Sequence, residues 1–148
     1  MKCCFMKNSP QANIDILRHI LKYCIRIEEY IERFGNDFAI FKEDMAYRDS
    51  VSMNILQIGE LAGHLSDDYR AATSDKMPWR SIRAMRNLFA HNYGQMNVDI
   101  VWSTAIESIP QVKAFCDEQI ENAGYCKWIQ LIIQKKMKMI WKSESFLC

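Results

Sequence analysis

Glycine and proline are scarce here, with five glycines and three prolines in 148 residues. So little turn chemistry argues against a disordered or loop-rich chain and for a helical one. Charge of one sign is also missing: the formal net charge is +1. That argues against a strongly basic coat for nucleic acid, although it leaves room for a local basic groove. Cysteines are present at positions 3, 4, 24, 116, 126 and 148, but none forms a Cys-x-x-Cys pair and no Cys/His spacing resembles a zinc site. Cys3 and Cys4 are adjacent, so a disulfide between them would be strained. The thiols read as mostly reduced, with Cys24 and Cys116 as small core residues. No signal-peptide core stands near the N-terminus and no apolar run is long enough to span a bilayer, so a cytoplasmic location is expected and a membrane partner is not. No glycine-rich loop cradles phosphate. No pair of acids has a spacing that compels acid/base chemistry, and no Asp/Glu/His cluster has ligand spacing. Neither a cofactor nor a metal is expected.

What is present is amphipathic helix. About half of the residues are hydrophobic (49%) and a quarter are charged (25%), enough for one domain with a sizeable core. Ser9 can cap a first helix with Pro10 at its first position; Leu17, Ile20, Leu21, Cys24, Ile27, Ile31 and Phe34 form its apolar stripe, and Gly35 ends it. Asp37 or Asp44 starts the next segment, through Val51, Ile55, Ile58, Leu61, Ala62 and Leu65, where Gly59 and Gly63 would let another helix approach closely. Ser66-Asp67-Asp68 suggests a short helical turn. Pro78 reopens helix through Trp79, Ile82, Met85, Arg86 and Phe89, and Gly94 marks its end. Asn97 caps a fourth long helix, bent at Pro110 and closed at Gly124. Strand alternation is absent throughout. The expectation is an all-α up-and-down bundle over residues 9–124, followed by a basic amphipathic extension, 125–148. The extension reads as a last helix packed on the bundle or on a partner, or else as a basic surface for a membrane or RNA.

Polar residues concentrate in "MRNLFAHNYGQ", residues 85–95. His19 and His64 read as rim or satisfied core histidines, whereas His91 is crowded by Arg86, Asn87 and Tyr93. A histidine favoured by a helix C-terminal dipole is one explanation for this crowding; convergence on a substrate is the other. Arg86 and His91 are five positions apart, roughly 7.5 Å of rise and about 140° around an ideal helix, so they cannot stand side by side on one face. A joint site needs unwinding near His91 or a second copy of the helix across a two-fold axis. Glu60, after Gly59 in an apolar helix, is either a solvated carboxylate or a buried partner for an arginine.

"IGELAGHLS", "MPWRSIRAMRNLFAHNYGQMNVDIVW" and "SIPQVKAFCDEQI" together resemble HepT-like proteins of the HEPN superfamily, from about residue 12 to residue 121. The signature of Arg, four residues, His, one residue, Tyr is met by Arg86, His91 and Tyr93. A bare Arg-x4-His is weak; with the flanking Ile-Gly-Glu, Pro-Trp and Val-Asp-x-x-Trp it is strong. The resemblance implies a two-fold homodimer whose paired motifs line one cleft. It also implies a metal-independent endoribonuclease that serves as the toxin of a toxin–antitoxin pair. Its antitoxin would be an MNT-type nucleotidyltransferase that silences it by transferring AMP to Tyr93. The extension beyond Ala123 has no counterpart in that likeness.

The residue types suit such chemistry. RNA carries its own nucleophile, the 2′-hydroxyl. A histidine titrates near neutrality (about 6.5), so His91 can act as acid or base. Arg86 stays charged and offers a planar fork to phosphate oxygens, and Asn87 can orient the scissile phosphate. Glu60 would stand behind these as a supporting residue. A different class of reading keeps the helices and drops the catalysis: a dimeric binding module for a nucleotidyltransferase or RNA, with Arg86 and His91 structural.

Overall fold

The structure, a computed structural model, describes residues 9–91 and 97–144, with the side chains of 88–91 and 139–144 excepted. Helices carry these residues: α1 (Pro10–Phe34), α2 (Phe38–Glu43), α3 (Met45–His64), α4 (Asp67–Ala72), α5 (Trp79–His91), α6 (Val98–Ser103) and α7 (Ile109–Glu144), with a π-helical segment Thr104–Ser108 between the last two. No strand occurs among them. The all-α bundle expected from the periodicity is the fold.

Helix starts follow local chemistry. Ser9 accepts from the Ala12 N–H with Pro10 next, Asp37 from Ala39 N–H, Asp44 from Tyr47 N–H, Ser66 from Tyr69 N–H and Asn97 from Asp99 N–H. Both candidate starts, Asp37 and Asp44, are used, one for each of two successive helices. Gly35, at φ 111°, ends α1 in a conformation that side-chain-bearing residues avoid. Tyr47 seals that corner: its hydroxyl donates to the Gly35 carbonyl at 3.2 Å, and its ring stacks on Phe34 and meets Phe41 and Trp102 edge-on. Arg70 on α4 donates to the carbonyls of Ala62, Gly63 and Leu65, closing the C-terminus of α3.

α1, α3 and the first part of α7 enclose the core. Leu17, Ile20, Cys24 and Ile27 of α1 meet Val51, Ile55, Ile58 and Ala62 of α3 and Val112, Phe115 and Cys116 of α7, all buried. Each such aliphatic side chain contributes about 1.5–3 kcal/mol on burial. α5 lies outside this trio and packs chiefly on α3. Trp79 anchors its start, 4% exposed, edge-on to Phe115 and donating from Nε1 to Thr73 Oγ1 at 2.8 Å.

Pro110 shapes the start of the last helix, and one expectation about that helix, its stop at Gly124, needs correcting. Pro110 acts on the turn before it: lacking an N–H, it cannot bond the Ile106 carbonyl, and the chain takes the π segment instead, with the Ile109 N–H reaching back to the Thr104 carbonyl. Gly124 does not close the helix. α7 runs through it to Glu144, because the left-handed cap that glycine favours does not form there; Gly35 is the sole positive-φ glycine among the described residues. The Gly94 stop lies outside the described residues. From Gly124 to Lys138 every side chain is exposed, so this part of α7 is not packed on the bundle of its own chain. Among the described residues, no helix is long and apolar enough to cross a membrane.

Candidate functional site

The site grows from one close approach. Gly59 on α3 faces α5 so tightly that a Cβ there would stand 3.0 Å from the Ile82 carbonyl oxygen and 3.2 Å from Arg86 Cβ. Any larger residue there would press α5 outward by a few tenths of an ångström or more. The consequence of the close approach is local chemistry: Glu60, the next residue, comes within reach of Arg86, and its carboxylate pairs with the Arg86 guanidinium through Oε2 and Nε. The other carboxylate oxygen lies 3.5 Å from Nε2 of His64, one turn along α3. Glu60 is thus an arginine partner, but a half-exposed one rather than the buried one that was the alternative to a solvated carboxylate. The two side chains of the pair are 40% and 52% exposed, so it contributes at most about 1 kcal/mol to stability. Its effect is to orient Arg86.

A groove of about 380 Å³ opens where α3 and α5 part, with Gly59, Glu60, Gly63 and His64 on one wall and Arg80, Arg83, Ala84, Arg86 and Asn87 on the other. Three guanidinium groups against one carboxylate leave this groove an excess of two positive charges. That exceeds the +1 balance of the whole chain. The local basic groove that a near-zero total leaves room for is present, and it is built from α5.

The sequence-predicted residues fall as follows. Arg86 and Asn87 are neighbours on the exposed side of α5, in the groove, and Glu60 joins them. His91 is the last described residue of α5, with its side chain outside the described ones, and Tyr93 lies outside the described residues. His64 and His19, each read as a rim or a satisfied core histidine, are both exposed; His64 belongs to the groove, and His19, on α1, does not line it. Arg80 and Arg83 were missed. Their signal was in the sequence all the same: three arginines at 80, 83 and 86 recur every third position, which keeps them on one broad side of a helix. Among the described residues, no group of His, Cys, Asp or Glu side chains is arranged to hold a metal ion.

Away from the groove, burial governs the thiols. Desolvation pushes the Cys116 thiol up to about 12, helped by the Asp117 charge, and pushes Cys24 up further still. Both are inert core groups, whereas Cys126 is exposed.

A bundle of this kind with an Arg-x4-His helix along a basic groove defines a class, and comparison with known proteins places the chain within it. Residues 20–119 match the Ribonuclease HepT-like family, and the chain belongs to that family. It is 34% identical over 107 residues to "Putative RNase TTE0752" of Caldanaerobacter subterraneus subsp. tengcongensis, a match covering 72% of this chain and 92% of the relative. It is also 30% identical over 87 residues to "Probable ribonuclease HepT" of Thermococcus cleftensis, covering 57% of this chain and 78% of the relative. No solved structure gives a significant match.

Proposed function

We propose that this protein is an endoribonuclease that cleaves RNA without a metal ion, and that it is the toxin of a toxin–antitoxin pair. The observation that carries this reading is the placement of Arg86: an exposed guanidinium oriented by Glu60, beside Asn87, in a groove with excess positive charge, on the helix that also carries His91. The family supplies the reaction class. In this reaction the 2′-oxygen attacks the adjacent phosphorus, the bond to the 5′-oxygen breaks, and the products are a 2′,3′-cyclic phosphate and a 5′-hydroxyl. One histidine takes the proton from the 2′-hydroxyl and another gives a proton to the departing 5′-oxygen. Arg86 offers two parallel N–H groups to the phosphorane oxygens, stabilising charge as it develops.

Two histidines in one cleft follow if the active form is a two-fold homodimer that brings a second His91 across the axis. Arg86 and His91, about 140° apart on one helix, support this arrangement. Silencing by an MNT-type nucleotidyltransferase fits the same site. AMP on Tyr93, two positions past His91, would add bulk and negative charge where RNA phosphate has to enter.

The test is cleavage of total RNA by the purified full chain in EDTA, beside His91→Gln and an Arg86→Ala, His91→Ala double variant. Wild type is expected to cleave in EDTA, and His91→Gln to drop by roughly a hundredfold or more while circular dichroism stays unchanged. Cleavage by His91→Gln at the wild-type rate removes His91 from the chemistry and favours a binding module. Loss of cleavage in EDTA, restored by one divalent ion, refutes metal independence.

A further inference from the structure

We propose that the α3–α5 groove is a phosphate-binding subsite for the RNA strand outside the scissile position, with Arg83 and Arg80 as its ligands. The proposal rests on the ribonuclease reading above and assigns the two arginines which that reading leaves unused.

The three guanidinium groups are not equivalent. Arg86 is engaged by Glu60, whose second oxygen faces His64, so part of its charge is answered within the protein. Arg80 and Arg83 line the same groove, and neither takes part in an ion pair among the described residues. The excess positive charge of the groove therefore resides on these two. Their positions on α5 form a track. Arg83 stands one turn before Arg86 and Arg80 one turn before that, about 4.5 Å of rise at each step, leading away from the His91 end.

Helix stability does not account for the placement. Arg80 sits in the first turn of α5, where the positive end of the helix dipole disfavours a cation, and the first turn holds no acid to compensate. The floor is a glycine where Arg83 lies. A Cβ on Gly63 would stand 3.8 Å from Arg83 Nε, an ordinary contact, so the side chain of Arg83 rests over Gly63 without being pressed by it. A groove of about 380 Å³ is within the usual range for small ligand sites, about 300–1,000 Å³. Cations with planar donor forks, and a lining that holds no aromatic side chain on which a base could stack, suit a phosphodiester more than a nucleobase. Such contacts set affinity and register along the strand without reading sequence.

The experiment uses the full chain and a fluorescent single-stranded RNA of mixed sequence. Cleavage is followed for wild type, Arg80→Gln, Arg83→Gln, the double variant and Arg83→Lys; binding is followed by anisotropy at several salt concentrations in a His91→Gln background. The double variant is expected to raise KM by roughly tenfold with a much smaller fall in kcat, because it weakens ground-state binding. It should also lower the slope of log affinity against log salt by about 0.7 for each phosphate of a single strand that is no longer neutralised, and Arg83→Lys should keep that slope. A structural role for the arginines would leave the salt slope unmoved. Unchanged KM and unchanged slope in a folded double variant overturn the proposal. If wild type cleaves nothing, the ribonuclease reading fails by itself and the binding arm decides: an Arg83-dependent slope supports the subsite, an independent one overturns it. AMP and ATP are titrated in parallel. Arg83-dependent binding of either, with RNA binding indifferent to Arg83, makes this a mononucleotide site and also overturns the proposal.

Discussion

Replacing Gly59 by alanine perturbs the contact that brings α3 and α5 together, and its effect can be worked from two distances. The new Cβ would sit 3.0 Å from the Ile82 carbonyl oxygen and 3.2 Å from Arg86 Cβ. Both belong to or stand directly on the α5 backbone, so no side-chain rotation relieves them; α5 has to move outward. Overpacking of this kind costs about 1–3 kcal/mol. Against this, glycine to alanine inside a helix gains about 1 kcal/mol. The net expectation is a loss of about 0–2 kcal/mol, with Arg86 displaced from Glu60. Gly63→Ala is the matched comparison on the same face of α3. Its Cβ meets nothing closer than Arg83 Nε at 3.8 Å, an ordinary contact, so the helix-propensity gain stands and the variant should be more stable by up to about 1 kcal/mol. Urea unfolding followed by circular dichroism measures both, and cleavage of RNA by each variant reports the site. Gly59→Ala is expected to be less stable than Gly63→Ala by about 1–3 kcal/mol and to lose most of its cleavage. If the two variants are equally stable and cleave alike, the close approach does not set the groove and the reasoning fails.

Two further outcomes are expected. The folded Cys116 thiol is raised to about 12 and Cys24 is raised as well, while an unfolded thiol ionises near about 8.5; their stabilising contribution is therefore complete below the unfolded value and is lost as pH climbs from there through the folded one. Denaturant unfolding between about pH 9 and 11 should show a loss of up to about 1.4 kcal/mol per pH unit for each thiol, and Cys116→Val should remove its share; an identical pH slope in that variant refutes the assignment. Tyr93→Phe is expected to remain an active ribonuclease that gains no AMP when treated with the nucleotidyltransferase and ATP. Mass spectrometry and RNA cleavage after removal of the partner check this, and AMP incorporation with loss of activity would move the acceptor elsewhere.

Local chemistry was legible in the sequence. Ser9, Asp37, Asp44, Ser66 and Asn97 each cap a helix because a side-chain oxygen and an N–H two or three residues ahead need no help from the rest of the chain. The apolar stripe of α1 became its buried face for a similar reason, since helical period alone puts Leu17, Ile20, Cys24 and Ile27 in line. The arginine, histidine and tyrosine of the motif were likewise visible as a spacing. Helix ends were less so. Gly35 and Gly124 look alike as stop signals, but Gly35 is held at φ 111° with Tyr47 bonded to its carbonyl, while around Gly124 nothing competes with continued helix. Only tertiary structure decided which partner Glu60 takes, because that depends on how near α5 comes to α3, and a single missing Cβ at Gly59 sets that distance. The gathering of Arg80, Arg83, Arg86 and His64 around one groove has the same origin. Charge summed along the chain comes to +1 and conceals it, whereas two packed helices concentrate it on one wall.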